Sequence, residues 1–245
     1  MNTFEGCDYV LHQAALPSVP RSVKDPVRSN HANITGTLKV LVAARDSNVS
    51  KVVCAYSSSV YGDTPALPKV ESMPINPKSP YAITKATGEL YCKTFTDIYN
   101  IPTVSLRYFN VFGPRQDPNS QYSAVIPKFI AAILDGQAPI IYGDGTQSRD
   151  FTYIKNVVDA NILVCKTKET GVFNVACGRR IILNDLVEIL NDILGKEIQP
   201  VHTDSRPGDI KHSLADINKI KSIGYIGKDK FKDELEETVK YFTKN

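Results

Sequence analysis

Residues 51–85 constrain the fold more than any other stretch. Lys51-Val-Val-Cys-Ala-Tyr-Ser is a continuous apolar run that ends in Ser57-Ser-Ser-Val-Tyr-Gly62; a Pro-rich loop follows, and then Ser79-Pro-Tyr-Ala-Ile-Thr-Lys85. An apolar run without alternation suits a strand buried on both faces, as in parallel sheets covered by helices. Pro80 fits the first position of a helix. The stretch therefore predicts a βα unit. Four residues separate Tyr81 from Lys85, which puts both side chains on one helical face. An ammonium beside a phenol favours the phenolate and lowers a pKa that is ordinarily about 10. Tyr81 is thus a candidate general base, with Lys85 as the cation that activates it. Ser57 and Ser58 fall at the C-terminal end of the strand, where open α/β sheets bind ligands, and could hydrogen-bond the same substrate oxygen. A bare Tyr-x-x-x-Lys equally describes an exposed helical pair. The strand, the serines and the Pro-started helix in one unit favour the catalytic reading.

The flanking elements extend that unit. Asp8-Tyr-Val-Leu-His-Gln-Ala-Ala15 reads as another buried parallel strand, and Ile34, Leu38, Leu41 and Val42 recur at helical spacing between Asn30 and Asp46. A strand is expected from Ile101 to Phe109, giving β, α, β, α, β with right-handed crossovers. The fold class is therefore α/β, a Rossmann-like doubly wound parallel sheet. Beyond Pro114 the period becomes irregular. Helices are expected over 124–134, 156–166, 184–194 and 231–243, and short strands over 139–142, 149–153 and 171–176. Residues 1–115 read as the sheet-forming part and 116–245 mainly as a smaller C-terminal lobe, interleaved with the last strands of the sheet. Arg149 and Arg206 lie in loops beside Gly and Asp and suit bidentate phosphate recognition; surface ion pairing is the alternative.

Composition narrows the function classes. The 245 residues are 42% hydrophobic with net charge +3, enough for a sizeable core. The basic residues are dispersed, which argues against nucleic acid and membrane surfaces as partners. Five scattered cysteines, with no Cys-x-x-Cys and no His at zinc spacing, predict reduced thiols, a cytoplasmic location and no metal. No apolar run approaches the roughly 18 residues of a membrane span, and the first residues lack the pattern of a signal peptide.

The chain resembles the extended short-chain dehydrogenase/reductases, specifically the NAD-dependent sugar-nucleotide epimerase/dehydratase family, over nearly its whole length. The carriers are His12-Gln-Ala-Ala15, Ser57-Ser-Ser-Val-Tyr-Gly62, Tyr81-Ala-Ile-Thr-Lys85, Leu106-Arg-Tyr-Phe-Asn-Val-Phe-Gly-Pro114, Tyr142-Gly-Asp-Gly145, Ser148-Arg-Asp-Phe-Thr-Tyr153, Arg206-Pro-Gly-Asp209 and Ser213-Leu-Ala-Asp216. The branch it most resembles is the UDP-N-acetylglucosamine 4-epimerases, whose Ala-Ala-Leu-x-Ser-Val-Pro-Arg-Ser pattern recurs at Ala14 to Ser22. The resemblance implies a homodimeric NAD-dependent 4-epimerase of UDP-hexoses. It places the backbone of Gln13, Ala14 and Ala15 along the cofactor, with Tyr81, Lys85 and Val111 at its nicotinamide end. It assigns Ser18, Ser57, Ser58 and Asn110 to the substrate, Ala124, Val125 and Phe129 to the uracil, Arg149 and Arg206 to the diphosphate, and Asp209 to the ribose. Ser213 falls where the sugar pocket is walled, and a small residue there leaves room for an acetamido group; it equally suits the start of a turn. Asn33 falls near the active-site helix or serves as a helix kink.

One signal is missing. A dinucleotide fold opens with a strand, a Gly-rich turn and a helix that holds the pyrophosphate, and no Gly-x-Gly-x-x-Gly occurs in these residues. The resemblance leads us to expect roughly two to three further βα units ahead of Met1. A remnant that only binds UDP-sugar or a partner is therefore the rival function. Dehydratases need an Asp-Glu acid pair after the strand and decarboxylases a Glu; Ser58 and Ser59 stand there instead, which weighs against both.

Overall fold

The computed structural model describes residues 3–117, 124–205 and 210–244. Four parallel strands form its centre: β1 (Tyr9–His12), β2 (Lys51–Ser57) and β3 (Thr103–Tyr108) pair in sequence, and Gly171–Val175 pairs with β3 at the far edge. Val52, Cys54 and Tyr56 of β2 point to one face and Val53 to the other, and all are buried. That accounts for the unbroken apolar run in the sequence.

On the first face lie α1 (Val19–Lys24), α2 (Pro26–Asn30), α3 (Gly36–Asp46) and α4 (Pro80–Tyr99), packed through Leu41, Ala44, Cys92 and Phe95. The start of α4 has the expected chemistry. Ser79 Oγ accepts from Ala82 N at 3.1 Å, Pro80 opens the first turn, and Asn100 ends the helix in the left-handed region at φ 55°. The two short helices α1 and α2 were not expected. The expected helix over 30–46 begins instead as a π-helical turn, His31–Thr35, before α3. Asn33 sits in that turn. Its Oδ1 accepts from Leu16 N at 2.7 Å and its Nδ2 donates to Thr84 Oγ1 at 3.0 Å, so one side chain ties the loop after β1 to the helix that carries Tyr81.

Beyond β3, β4 (Val111–Phe112) leads to α5 (Val125–Leu134), β5 (Ile140–Tyr142), β6 (Ser148–Arg149) and β7 (Thr152–Tyr153). The single strand expected over 149–153 is thus two short ones. The chain breaks at Asp150 because β6 pairs antiparallel with Ile181–Ile182 while β7 pairs parallel with β4. Next come α6 (Ile154–Lys166), β8 (Gly171–Val175), β9 (Ile181–Ile182), α7 (Leu183–Leu194), β10 (Val201–Thr203), α8 (Asn218–Lys221) and α9 (Phe231–Lys244). Helix α6 covers the second face of the sheet through Val157, Ala160 and Val164. A separate core gathers Phe112, Ile126, Ile130, Phe151, Leu186, Leu190, Phe231, Leu235 and Val239 under α5, α7 and α9. The stripe Phe231, Leu235, Val239 and Phe242 of α9 faces this core, as its spacing requires. No helix among the described residues is long and apolar enough to cross a membrane.

Candidate active site

The C-terminal ends of β2 and β3 and the start of α4 converge on one cavity of about 670 Å³. Ser57, Ser58, Ser59, Tyr81, Asn110, Val111, Ala124, Arg149 and Ser213 all line it, so residues far apart in sequence meet as expected. Ser57 closes β2, and its Oγ accepts from Ser59 N at 3.2 Å at the head of a 3-10 turn over Ser58–Tyr61. Gly62 ends that turn at φ 62°, where a Cβ would lie 2.0 Å from the Asn76 carbonyl oxygen. Only glycine lets the chain turn away there.

Tyr81 is held by its backbone, with its N–H donating to Ser22 Oγ at 3.0 Å. Its electrostatics differ from expectation. Burial raises the phenol pKa, and the Ser57 hydroxyl beside it offsets this only in part. Lys85 does not bring the phenol toward neutrality. Its Nζ donates to Ala55 O at 2.8 Å and lies 5.9 Å from the Tyr81 ring centroid. Burial also pushes the lysine itself down to about 8. The sequence spacing guarantees a shared helical face, but it does not fix the height of the ammonium above the phenol.

Asn110 ends β3 at φ 31° and donates through Nδ2 to Asp150 O at 3.2 Å and toward Ser213 Oγ at 3.4 Å. Arg149 Nη1 donates to the carbonyls of Ser148 and Lys211 at 2.9 and 3.1 Å. Arg149 also lines a neighbouring cavity of about 590 Å³ with Val125, Phe129 and Tyr142, and so stands where the two spaces meet. Gln13 and Ala14 are exposed and Ala15 is half-buried just past β1. The Gln13 side chain is engaged with Tyr108 Oη and Asn161 Oδ1, both at 3.1 Å, which leaves its backbone as the surface a ligand can lie along. Ser18 is buried and caps α1 by accepting from Arg21 N at 3.1 Å; its neighbours Pro17 and Val19 form the cavity wall. Arg206 and Asp209 lie outside the described residues.

Sequence reading missed Tyr108 and Gln116, which also line the central cavity. Gln116 Nε2 donates to Val111 O at 3.0 Å, while its Oε1 is buried without a hydrogen-bond partner among the described residues. Its place one residue beyond Arg115 gave no signal. A buried acceptor left open costs free energy that a ligand N–H or O–H can recover.

The residues present fit the nicotinamide-ribose half of a dinucleotide. Lys85 is 7% exposed and its ammonium has one hydrogen bond among the described residues, so two N–H groups remain for ribose hydroxyls beside Tyr81. No cluster suited to a metal ion occurs among the described residues.

A parallel sheet with Ser, Tyr and Lys at its C-terminal edge defines a nicotinamide-dependent enzyme of the short-chain dehydrogenase/reductase class. The pattern of the NAD dependent epimerase/dehydratase family matches residues 1–176. A UDP-N-acetylglucosamine 4-epimerase from Methanobrevibacter ruminantium M1, solved with UDP-N-acetylmuramic acid, shares 52% identity at a TM-score of 0.97, covering 98% of this chain and 78% of its own. A UDP-glucose 4-epimerase from Thermotoga maritima, solved with UDP-glucose, shares 36% identity at a TM-score of 0.94, over 97% of this chain and 77% of its own. A putative UDP-glucose 4-epimerase of Methanocaldococcus jannaschii is 36% identical over 243 residues, 99% of this chain and 79% of that protein. The chain belongs to the NAD dependent epimerase/dehydratase family. It is an epimerase, and its cofactor is NAD.

The residues that fit a dinucleotide here, Tyr81 and Lys85, suit its nicotinamide-ribose half, and the 245 residues contain no Gly-x-Gly-x-x-Gly turn for the pyrophosphate. Calorimetric titration of the 245-residue chain with NAD is therefore expected to show binding weaker than about micromolar. A tighter constant refutes this account of the cofactor site.

Proposed function

We propose that the chain catalyses 4-epimerisation of UDP-N-acetylglucosamine and UDP-N-acetylgalactosamine, with UDP-glucose and UDP-galactose as a second pair, in a homodimer. The observation that carries this reading is the position of Arg149. It lines the cavity that holds Ser57, Tyr81 and Ser213 as well as the one that holds Val125 and Phe129. A diphosphate held there directs its sugar toward Tyr81 and its base toward Phe129, since a guanidinium pairs with two phosphate oxygens at once.

Tyr81 Oη exchanges a proton with the sugar O4, and Ser57 and Ser58 at the end of β2 hydrogen-bond that oxygen and orient it. Burial raises the phenol pKa, so Tyr81 first loses its own proton to solvent; the phenolate, favoured by the Ser57 hydroxyl, then takes the O4 proton as hydride leaves C4 and gives it back to O4 when hydride returns. Lys85 holds the ribose beside Tyr81. NAD, when bound, supplies hydride acceptance from and return to sugar C4. Asn110 and Arg149 hold the diphosphate, and Gln116 Oε1 offers an acceptor to the sugar.

Ser213 decides the substrate in this proposal. It lines the central cavity together with Tyr81, with Asn110 Nδ2 3.4 Å from its Oγ. A Ser213→Tyr side chain fills the space an acetamido group needs. By calorimetry on this chain, affinity for UDP-N-acetylglucosamine is expected to fall roughly 5- to 150-fold, equivalent to about 1–3 kcal/mol, and that for UDP-glucose by less than about threefold. Equal losses on both ligands sink the assignment of Ser213.

A further inference from the structure

Asp150 is fully buried, and among the described residues the hydrogen bonds of its carboxylate come from backbone N–H groups. Oδ1 accepts from Cys177 at 3.1 Å; Oδ2 accepts from Gly178 and from Ala215, each at 3.1 Å. The first two belong to the loop after β8, and the third to the segment that carries Ser213. Around the same residue, Asp150 O accepts from Asn110 Nδ2 at 3.2 Å, and Ser213 N donates to Ser148 O at 3.0 Å. One residue thus joins the end of β3, the loop after β8 and the Ser213 segment, and its neighbour Arg149 faces both cavities. Removing this side chain releases the loop after β8 and the Ala215 end of the Ser213 segment from Asp150, while Asn110 stays bonded to the Asp150 backbone carbonyl.

We propose that Asp150 is a positioning residue: its carboxylate holds the Ser213 segment in register with Asn110 and Arg149, and thereby shapes the sugar pocket. This rests on the substrate-pocket reading above.

The carboxylate is held at a cost that packing alone does not require. Burial pushes its pKa up to about 6, and the backbone N–H groups offset this only in part. Protonation turns one acceptor oxygen into a donor facing amide N–H groups, so at least one of the three hydrogen bonds is lost. The titratable groups that feel its charge are Cys177, pushed up to about 12 by burial, and Tyr225, pushed up by burial as well; both stay neutral near pH 6. The charges of Glu234, Asp229 and Arg179 also act on Cys177. Across the Ser213 segment, His212 Nδ1 lies 2.9 Å from Ser148 Oγ, with Lys211, Arg149 and Arg180 around it. Acidification makes His212 more positive, which favours an anionic ligand and opposes the effect expected of Asp150.

The test is calorimetric titration of the chain and of its Asp150→Asn variant with UDP and with UDP-N-acetylglucosamine. At pH 7.5 the variant is expected to bind UDP within about threefold of the unaltered chain and UDP-N-acetylglucosamine at least about tenfold more weakly, since the uridine site stands apart from the wall. In the unaltered chain, affinity for UDP-N-acetylglucosamine falls as pH drops through about 6, while the variant, which keeps His212, holds or gains affinity over the same range. The pH profile of the unaltered chain needs no variant, so it decides even if Asp150→Asn does not fold. Equal UDP-N-acetylglucosamine binding by both proteins, or a flat profile in the unaltered chain, overturns the role of Asp150 alone. If the unaltered chain does not bind UDP, the substrate-pocket reading fails and this proposal falls with it.

Discussion

Tyr81→Phe is expected to lower epimerase turnover by roughly 10²- to 10⁴-fold, the usual contribution of a positioned acid–base group, while leaving UDP affinity within about twofold. The substitution removes one oxygen and keeps the ring against α4. Tyr81 N remains bonded to Ser22 Oγ, because that contact uses the backbone. The nucleotide is held elsewhere, at Arg149 and the cavity of Val125 and Phe129. What disappears is the proton exchanged with the sugar O4, and no other side chain takes over: Lys85 is tied to Ala55 O, and the neutral Ser57 hydroxyl is too weak a base without an adjacent activating group. The assay joins this chain to the Gly-rich βα units of a family member, and the same fusion with Tyr81 serves as reference. Turnover above a tenth of the reference means that Tyr81 is not the acid–base group.

The parts of this site that were legible in sequence are those set by local chemistry. Ser79-Pro80 announces the start of α4, so the shared face of Tyr81 and Lys85 followed, and the unbroken run in β2 announced a strand covered on both sides. Helices α1 and α2 were hidden because both are short and open on a proline, which in sequence reads as loop. The π-helical turn at Asn33 has no periodic signature either. Its cause is tertiary, a side chain reaching to Leu16 and Thr84.

Chemistry that depends on depth was the least legible. Spacing suggested that Lys85 depresses the Tyr81 pKa, yet burial dominates at both residues, and burial follows from the assembled sheet rather than from the helix. Asp150 was quoted only as part of a motif. Its partners are backbone N–H groups of Cys177, Gly178 and Ala215, which any residue but proline can supply, so no side-chain pattern could report them. Ser213 entered the site through the resemblance, and the structure puts it on the wall of the central cavity.

The same helix that presents Tyr81 and Lys85 is anchored by a buried ion pair, and breaking it is expected to have the largest effect on stability. Arg107 of β3 donates from Nε to Glu89 Oε1 at 2.9 Å and from Nη2 to Oε2 at 2.7 Å, a bidentate pair with side chains 4% and 6% exposed. Burial opposes the guanidinium charge, but the hydrogen bonds and charge of Glu89 outweigh it and raise the pKa above its ordinary value. A guanidinium is not deprotonated in proteins, so loss of Glu89 leaves Arg107 a buried cation. Its other contacts, the Tyr61 ring at 4.7 Å and Glu71 O at 3.4 Å, are too weak to compensate a buried cation. Glu89→Ala is expected to cost about 3–5 kcal/mol, a fall in Tm of roughly 6–20 °C for a chain of this length. The double change Glu89→Met with Arg107→Met removes both charges and keeps the volume, and such replacements are often neutral, so most of the loss is recovered. Thermal unfolding of Glu89→Met, Arg107→Met and the double variant separates the contributions. A single-variant loss below about 1 kcal/mol, or a double variant as unstable as the sum of the singles, means that the pair is solvated and does not anchor α4.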